Sequence, residues 1–133
     1  MGLFQKTTRM NTTLLKDIGL AILRVGISAM MLVHGYGKLQ MLINGEEFGN
    51  PIGIGATPSL FLTVIGEFVC PLLIIIGLKT RLAAIPAAIT MAVAAFIVHG
   101  ADPFQKKELA LLYFVVFVVI ALTGPGKFSI DKR

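Results

Sequence analysis

LAAIPAAITMAVAAFIV, residues 82–98, contains no charged side chain and lies between Arg81 and His99. An α-helix rises about 1.5 Å per residue, so a helix over residues 81–99 is long enough to cross the roughly 30 Å of hydrocarbon in a bilayer. This stretch therefore predicts a membrane-spanning helix.

The segments on either side repeat this apolar pattern. The preceding span covers roughly residues 58–78 and begins at Thr57-Pro58, and the following span covers roughly 103–123 and begins at Asp102-Pro103. In both, a capping residue precedes a proline at the first helical position, which is typical of a helix start. A further span covers roughly residues 18–38. The sequence thus predicts four membrane-spanning helices, of which the span at 103–123 has the shortest uncharged part.

The composition of the chain agrees with a membrane protein. Of its 133 residues, 56% are hydrophobic and 14% are charged, and the mean hydropathy is +0.85. A soluble domain carries about 25% charged residues, and a soluble chain of this size has too little interior to bury so much apolar surface. We therefore predict an all-α integral membrane four-helix bundle that forms one domain over residues 1–133.

Lysine and arginine residues predict how the bundle is oriented. Cytoplasmic loops of membrane proteins carry an excess of these residues, and most of them fall on the side that holds both chain ends. Both termini are therefore expected in the cytoplasm, with residues 1–13 as an N-terminal cytoplasmic tail. The net charge of +5 is expected to face phospholipid head groups, so it does not indicate a nucleic-acid partner. The residues on the terminal side are Lys6, Arg9, Lys16, Lys79, Arg81, Lys127, Lys132 and Arg133; those on the outer side are Lys38, Lys106 and Lys107.

Ionisable residues inside the predicted spans mark a candidate site. Glu67 lies nine residues after Pro58, about 13 Å into the membrane and close to its midplane. On a helical wheel Arg24, His34 and Lys38 fall within an arc of about 80°, so the first span has one polar face. Because a charge inside a bilayer costs about 2.5–3.5 kcal/mol, this face should point into the bundle.

Glu67 has two interpretations. In the first, Arg24 and Glu67 form a buried ion pair that holds the first two spans together, because guanidinium does not lose its proton in proteins. In the second, Glu67 is the floor of a polar pocket that opens toward the outer face, with His34 and His99 in its walls. Pro71 has no N–H, so the carbonyl of Glu67 is left for a neighbouring helix, a water molecule or a ligand.

The single cysteine limits the chemistry of the chain. Cys70 cannot form an internal disulfide, and its apolar surroundings favour a packing role. The spacing of the histidines, Glu67 and Cys70 matches no metal-ligand pattern, so no metal site is predicted. The sequence contains no haem or nucleotide motif. The glycine-rich outer loop at 40–57 is long enough to act as a lid, although flexibility or ordering by a partner protein explains its composition equally well.

Four motifs, taken in order, resemble the DoxX family of small membrane proteins. They are AILRVGISAMMLVHGYGKL (21–39), IGEFVCPLLIIIGLKTRLAAI (65–85), FIVHG (96–100) and ELALLYFVVFVVIALTGPGKFSIDKR (108–133). The resemblance covers about residues 18–133 and implies a four-helix bundle in the bacterial cytoplasmic (inner) membrane. Some members of the family are subunits of thiosulfate:quinone oxidoreductase, and others accompany membrane-linked redox, thiol-stress or quinone-detoxification systems or the maturation of periplasmic redox enzymes. Since this chain lacks paired cysteines, thiol exchange of its own is not expected.

The leading functional hypothesis is a membrane redox subunit that binds a quinone head group in the outer half of the bundle. Quinone reduction takes up protons as well as electrons, and histidine titrates near neutrality. Glu67 or His34 would exchange protons with one quinone oxygen, His99 would hydrogen-bond the other, and a redox partner protein would supply the electrons. The expected catalytic residues are thus Glu67, His34 and His99, and the expected cofactor-binding residues are Arg24, His34, Lys38, Glu67, His99 and Glu108.

Two other functions are compatible with the same sequence. The sequence also leaves open whether the protein is itself an enzyme. A non-catalytic accessory or scaffold subunit would pack small-residue helix faces against a second copy of the chain or a larger membrane complex. A small proton or solute permease would use the ionisable groups as its path, although four helices are few unless the chain forms a homo-oligomer. The small residues in question are Gly19, Gly26, Ala83, Ala84, Ala87 and Ala88.

Overall fold

The computed structural model describes residues 2–46, 49, 51 and 53–132, with side chains from Thr12 onward. These residues form helices and connecting turns and no strand. Two π-helical turns, Ile65–Val69 and Ala94–Val98, continue α2 into α3 and extend α4. The described chain therefore forms four long helices, as the sequence predicts. The α-helices are α1 (Gly2–Asn44), α2 (Ala56–Val64), α3 (Cys70–Ile76), α4 (Thr80–Val93) and α5 (Phe104–Thr123).

The first helix is much longer than the predicted span at 18–38. No proline interrupts it, and it ends where Gly45 adopts a left-handed backbone conformation with a φ of 69°. Because α1 begins at Gly2, residues 2–13 continue the helix, and their position relative to the membrane stays a prediction. The loop predicted at 40–57 is shortened from both sides by α1 and α2, and its residues 47, 48, 50 and 52 lie outside the described part of the chain.

The surfaces of the helices are those of an integral membrane protein. Three helices, Thr12–Asn44, Ala56–Ile76 and Thr80–Val98, are long and apolar enough to cross a membrane. α5 carries three charged residues near its start, at positions 106–108, but the rest of it presents an exposed apolar stripe of the kind that faces lipid. The members of this stripe are Leu109, Leu112, Val115, Val119 and Leu122.

The core is formed by all four helices, and α4 contributes small residues to it. Met31, Ile74 and Phe117 are almost completely buried there. The alanines predicted as a docking face for another protein are instead buried inside the bundle, because their small side chains let α4 approach its neighbours closely. The prediction that this face is free for a partner is therefore wrong. The alanines are Ala83, Ala84, Ala87 and Ala88.

The segment after α5 folds across one end of the bundle, which we call the C-terminal end. The carboxylate of Asp131 accepts hydrogen bonds from the backbone N–H groups of Lys79 at 3.0 Å and Thr80 at 2.8 Å, and so caps the start of α4. The N–H of Asp131 donates to the carbonyl of Gly77 at 2.8 Å, and the N–H of Lys127 donates to Asp17 at 3.3 Å. These bonds tie the end of α3, the start of α4 and Asp17 within α1 to one segment.

The π-helical turn at Ile65–Val69 is the place where the second long helix meets both of its neighbours. The N–H of Cys70 donates to the carbonyl of Ile65, one residue further back than in an α-helix. A methyl group at Gly35 of α1 would overlap the carbonyl of Glu67, and one at Gly66 would overlap the side chain of Thr90 on α4. The carbonyl of Glu67 thus lies close to α1 at Gly35, and which of the three predicted partners it bonds to stays a prediction.

Candidate functional site

An ion pair between Glu67 and Lys38 lies at the end of the bundle opposite the C-terminal segment. This end also holds His34 and His99, and we call it the histidine end. Nζ of Lys38 lies 3.3 Å from Oε2 of Glu67, and the side chain of Glu67 is only 6% exposed. The lysine side chain is about one-third exposed, at 31%, so its ammonium group reaches the carboxylate from the rim of the bundle. Glu67 therefore has a cationic partner, as the sequence predicts, but a different one.

The predicted ion pair between Arg24 and Glu67 is wrong. Arg24 lies fourteen residues, or about 21 Å, before Lys38 along α1, and so at the C-terminal end. Its Nη1 donates to the carbonyl of Ile74 at 3.3 Å and its Nη2 to the carbonyl of Phe128 at 2.6 Å. Arg24 thereby joins the end of α3, where the N–H of Gly77 also donates to the carbonyl of Ile74 at 3.1 Å, to the segment after α5. Arg24 consequently lies outside the candidate site.

Two cavities lie beside Glu67 at the histidine end. The small cavity has a volume of about 150 Å³ and lies between α1, α4 and α5. Besides Glu67 it has four polar residues in its lining, of which two were predicted and two were not. They are the predicted His34 and His99 and the unpredicted Lys106 and Tyr113.

The large cavity has a volume of about 330 Å³ and lies between α2 and α4. Glu67, Ala94 and His99 line both cavities, so the carboxyl and the imidazole stand at the boundary between them. Lys38 also lines the large cavity, together with three hydroxyl groups. The hydroxyl residues are Ser59, Thr63 and Thr90.

The three hydroxyl groups in the large cavity differ in their hydrogen bonds. Thr63 donates to the carbonyl of Ser59 and Thr90 to the carbonyl of Pro86, each at 2.8 Å, so both hydroxyl hydrogens are used within the helices. The hydroxyl of Ser59 is buried and has no hydrogen-bond partner among the described residues. A buried polar group without a partner is costly, and Ser59 therefore offers a donor to whatever occupies the cavity.

His99 is held by a carboxylate from the turn that follows it. Its Nδ1 lies 2.8 Å from Oδ2 of Asp102, in position to donate a hydrogen bond. This hydrogen bond holds the pKa of the Asp102 carboxyl below its usual range, and the nearby Lys106 and Lys107 act in the same direction. With Nδ1 bound in this way, Nε2 is the ring nitrogen that can exchange a proton with a ligand.

His34 of α1 and Tyr113 of α5 lie next to each other in the wall of the small cavity. Their ring centroids are 5.8 Å apart in an edge-to-face arrangement, and Tyr113 is buried whereas His34 is exposed on α1. Tyr113 was missed because, in the run LLYFVVF, it is indistinguishable from a core aromatic residue. Glu108, a predicted binding residue, is exposed and lines neither cavity.

Two further features of the site concern cysteine and metals. Cys70 is buried and belongs to the hydrophobic core next to the π-helical turn. In the part of the chain that the structure describes, no three His, Cys, Asp or Glu side chains are grouped closely enough to hold a metal ion.

The chain is similar to several bacterial proteins. A sequence model of the DoxX family matches residues 19–100. An uncharacterised protein of Haemophilus influenzae is 33% identical over 121 residues, which cover 86% of this chain and 89% of that protein. Inner membrane protein YqjF of Escherichia coli is 26% identical over 122 residues, covering 89% and 93%. A Bacillus subtilis protein named "Putative oxidoreductase CatD" is 30% identical over 118 residues, covering 86% of each chain. No solved structure matches the chain significantly.

The family match covers more than half of the chain and contains Lys38, Glu67 and His99. The name of the E. coli relative, an inner membrane protein, is consistent with the three helices among the described residues that are apolar enough to cross a bilayer. The protein is thus a multi-pass protein of a bacterial inner membrane, and it belongs to the DoxX family.

Proposed function

We propose that this protein is a small membrane subunit linked to redox metabolism, and that it binds a quinone head group beside Glu67 and His99. The observation that carries the proposal is that these two residues line both cavities at the histidine end. A ligand in either cavity therefore meets the same carboxyl and the same imidazole. Convergent polar groups in an otherwise apolar cavity between helices are the usual setting for a small-molecule site.

The lining of the large cavity suits a quinone head group. Its volume of about 330 Å³ lies at the lower end of the roughly 300–1,000 Å³ that is usual for ligand pockets. A bound quinone supplies two carbonyl oxygens that accept hydrogen bonds and, with two electrons and two protons, become the hydroxyls of a quinol. Lys38, Ser59 and His99 offer an ammonium, a hydroxyl and an imidazole as donors to these oxygens.

The same residues can hold the protons that this chemistry needs. Glu67, which is paired with Lys38, supplies a carboxyl group that can exchange a proton, and Asp102 orients His99 so that Nε2 can do the same. His34 lies in the small cavity and is exposed, so it provides a path for protons between Glu67 and the aqueous surface. Lys38 is thus the ion-pair partner of Glu67, a role for which the sequence predicted Arg24.

The electrons are proposed to come from a redox partner protein, since the sequence carries no haem or nucleotide motif. The B. subtilis relative supports the redox assignment through its name, "Putative oxidoreductase CatD". The accessory-subunit hypothesis loses the α4 alanines, which are buried within the bundle, and keeps Gly19 and Gly26 of α1, where a methyl group would meet nothing within 4 Å. The permease hypothesis has no support at the C-terminal end, where the segment after α5 is bonded across three helices.

The proposal is tested by the binding of a decyl-substituted benzoquinone to the protein in nanodiscs, with empty nanodiscs subtracted. Glu67→Gln is expected to weaken binding of the quinol, the reduced form of this probe, about tenfold or more, because the quinol hydroxyls can donate to the Glu67 carboxyl and hydrogen bonds that involve a charged group contribute about 1.5–3 kcal/mol. Glu46→Gln makes the same chemical change at an exposed position outside both cavities and should leave binding unchanged. Thermal unfolding of each variant checks the fold, and Ser59→Ala replaces Glu67→Gln if that variant does not fold.

Two results would contradict the proposal. One is wild-type protein that retains no more quinone than empty nanodiscs. The other is a folded Glu67→Gln variant that binds the quinol, and a folded Ser59→Ala variant that binds the quinone, as tightly as the wild type. A polypeptide that co-purifies with wild-type protein but not with Glu67→Gln, in the absence of quinone binding, would favour the accessory role instead.

A further inference from the structure

The large cavity lies in the side wall of the bundle, between α2 and α4. At the contact between Gly66 and Thr90 these helices are so close that a methyl group would not fit. From that contact toward the histidine end, the space between them is occupied by the large cavity. Its two facing walls consist of Ser59, Leu62 and Thr63 from α2 and Ile89, Thr90 and Val93 from α4.

Polar and apolar residues are segregated within this cavity. The charged pair of Lys38 and Glu67 forms one side of it, and there Glu67 is almost fully buried. Leu62, Ile89 and Val98 form the other side, and each of them is about half exposed (48%, 58% and 53%). In a membrane-spanning chain, half-exposed leucine, isoleucine and valine side chains face lipid. The cavity therefore runs from buried charges to the hydrocarbon.

We propose that the large cavity admits its ligand sideways from the bilayer, and that the ligand class is a membrane-dissolved amphiphile. The polar ring of this ligand lies against Glu67, Lys38 and Ser59, and its long apolar tail leaves the bundle between Leu62 and Ile89. This inference rests on the proposed function and adds the substrate class: a long-tailed, lipid-soluble quinone in place of a water-soluble one.

The volume and the surroundings of the cavity support a tail that stays in lipid. A cavity of about 330 Å³ has room for a ring, whereas pockets that enclose larger ligands reach roughly 1,000 Å³. Lipid is about as apolar as a leucine side chain, so a tail left in the bilayer gives up no favourable burial. A water-soluble ligand, by contrast, would need an entrance lined by polar residues, and the small cavity with His34 and Lys106 is the better entrance for it.

The test compares two probes with the same benzoquinone ring, one with a ten-carbon tail and one without a tail, on protein in nanodiscs. Leu62→Trp places an indole in the proposed opening without touching the polar residues. It should weaken binding of the tailed probe about tenfold or more, which is the equivalent of losing about two buried methylene groups. Binding of the tailless probe should change less than about twofold. Leu122→Trp, on the exposed stripe of α5, is the matched control and should change neither.

A second measurement locates the tail directly and does not depend on the fold of a variant. A tailed probe with a photoreactive group on the first carbons of its tail should label wild-type protein within residues 59–65 and 89–98. Labelling confined to residues 106–113, or equal losses for both probes in Leu62→Trp, would overturn the sideways entrance while leaving quinone binding intact. If neither probe binds wild-type protein, the proposed function fails and the inference fails with it.

Discussion

At the scale of single residues, Arg24 and Glu67, the two buried charges among the described side chains, have different tasks. Glu67 is paired with Lys38 and stands between two cavities, whereas Arg24 donates to the carbonyls of Ile74 and Phe128 at the other end of the bundle. The sequence could identify both as buried because of the cost of a charge in a bilayer. It could not predict the partner of Arg24, because this guanidinium group donates to backbone carbonyls. Which carbonyls lie within its reach depends on where the helices end, and that is known only from the structure.

Arg24→Met tests this division of tasks. The change removes two hydrogen bonds from a charged group, so we expect the free energy of unfolding to fall by about 2–4 kcal/mol. Quinone binding by the folded variant should stay within about twofold of the wild type, because Arg24 lines neither cavity. Thermal unfolding in detergent and quinone retention measure the two effects.

The matched control for Arg24→Met is Arg81→Met. Arg81 is exposed and donates one hydrogen bond, to the carbonyl of Thr123 at 3.3 Å, so this variant should lose less than about 1 kcal/mol. The double variant Arg24→Met/Glu67→Gln should show the sum of the two single losses. A non-additive result would mean that Arg24 and Glu67 interact after all.

At the scale of helices, the π-helical turn at Ile65–Val69 decides where the carboxyl of Glu67 lies. Pro71 allowed the sequence to predict an unbonded carbonyl at Glu67, and the structure has that carbonyl against Gly35 of α1. The widened turn itself could not be predicted, because it depends on how closely α1 and α4 approach the second helix on opposite sides. Such turns inside α-helices occur frequently at functional sites.

Alanine substitutions at Gly35 and Gly37 form a matched pair that tests how closely α1 approaches the π-helical turn at Ile65–Val69. A methyl group at Gly35 would overlap the backbone of Glu67, whereas one at Gly37 meets nothing within 4 Å. Gly35→Ala should therefore destabilise the protein by about 1–3 kcal/mol, as overpacking does. Gly37→Ala should be neutral or stabilising by up to about 1 kcal/mol, because alanine is the better helix former. Thermal unfolding in detergent compares them, and equal effects of the two substitutions would refute the close contact.

At the scale of the whole molecule, apolar runs were enough to predict four helices in a membrane. The predicted caps were wrong, because α2 begins at Ala56 after Gly55, so that Thr57 and Pro58 lie inside it, and the residue that precedes α5 is Pro103 and not Asp102. The convergence of Glu67, Lys38, His34 and His99 at one end also follows from their depth along the helices. The place of Ser59 in the site was not predictable. In TPSLF the serine has the position of an ordinary residue of a helix start, and nothing in the sequence indicates that its hydroxyl lacks a hydrogen-bond partner in the described structure. The burial of the α4 alanines likewise depends on how the helices pack around one another.

The orientation of the molecule in the membrane is a prediction that the fold makes easy to test. Asp17 in α1 and the segment after α5 are joined at the C-terminal end, where most lysine and arginine residues also fall, so both chain ends are predicted to lie on that side. The positive-inside rule then places the C-terminal end in the cytoplasm and the histidine end outside. Cys70 is the only cysteine and is buried, so Cys70→Ala provides a background for single cysteines at exposed positions.

Glu46→Cys and Lys132→Cys on that background mark the two ends of the bundle. A membrane-impermeant maleimide added to intact spheroplasts should label Glu46→Cys and leave Lys132→Cys unlabelled until the membrane is permeabilised. The opposite pattern would invert the protein and place the quinone site on the cytoplasmic side. Quinone reduction would then take its protons from the cytoplasm through His34, and not from the outer side. The orientation of the protein thus decides on which side of the membrane the proposed reaction consumes protons.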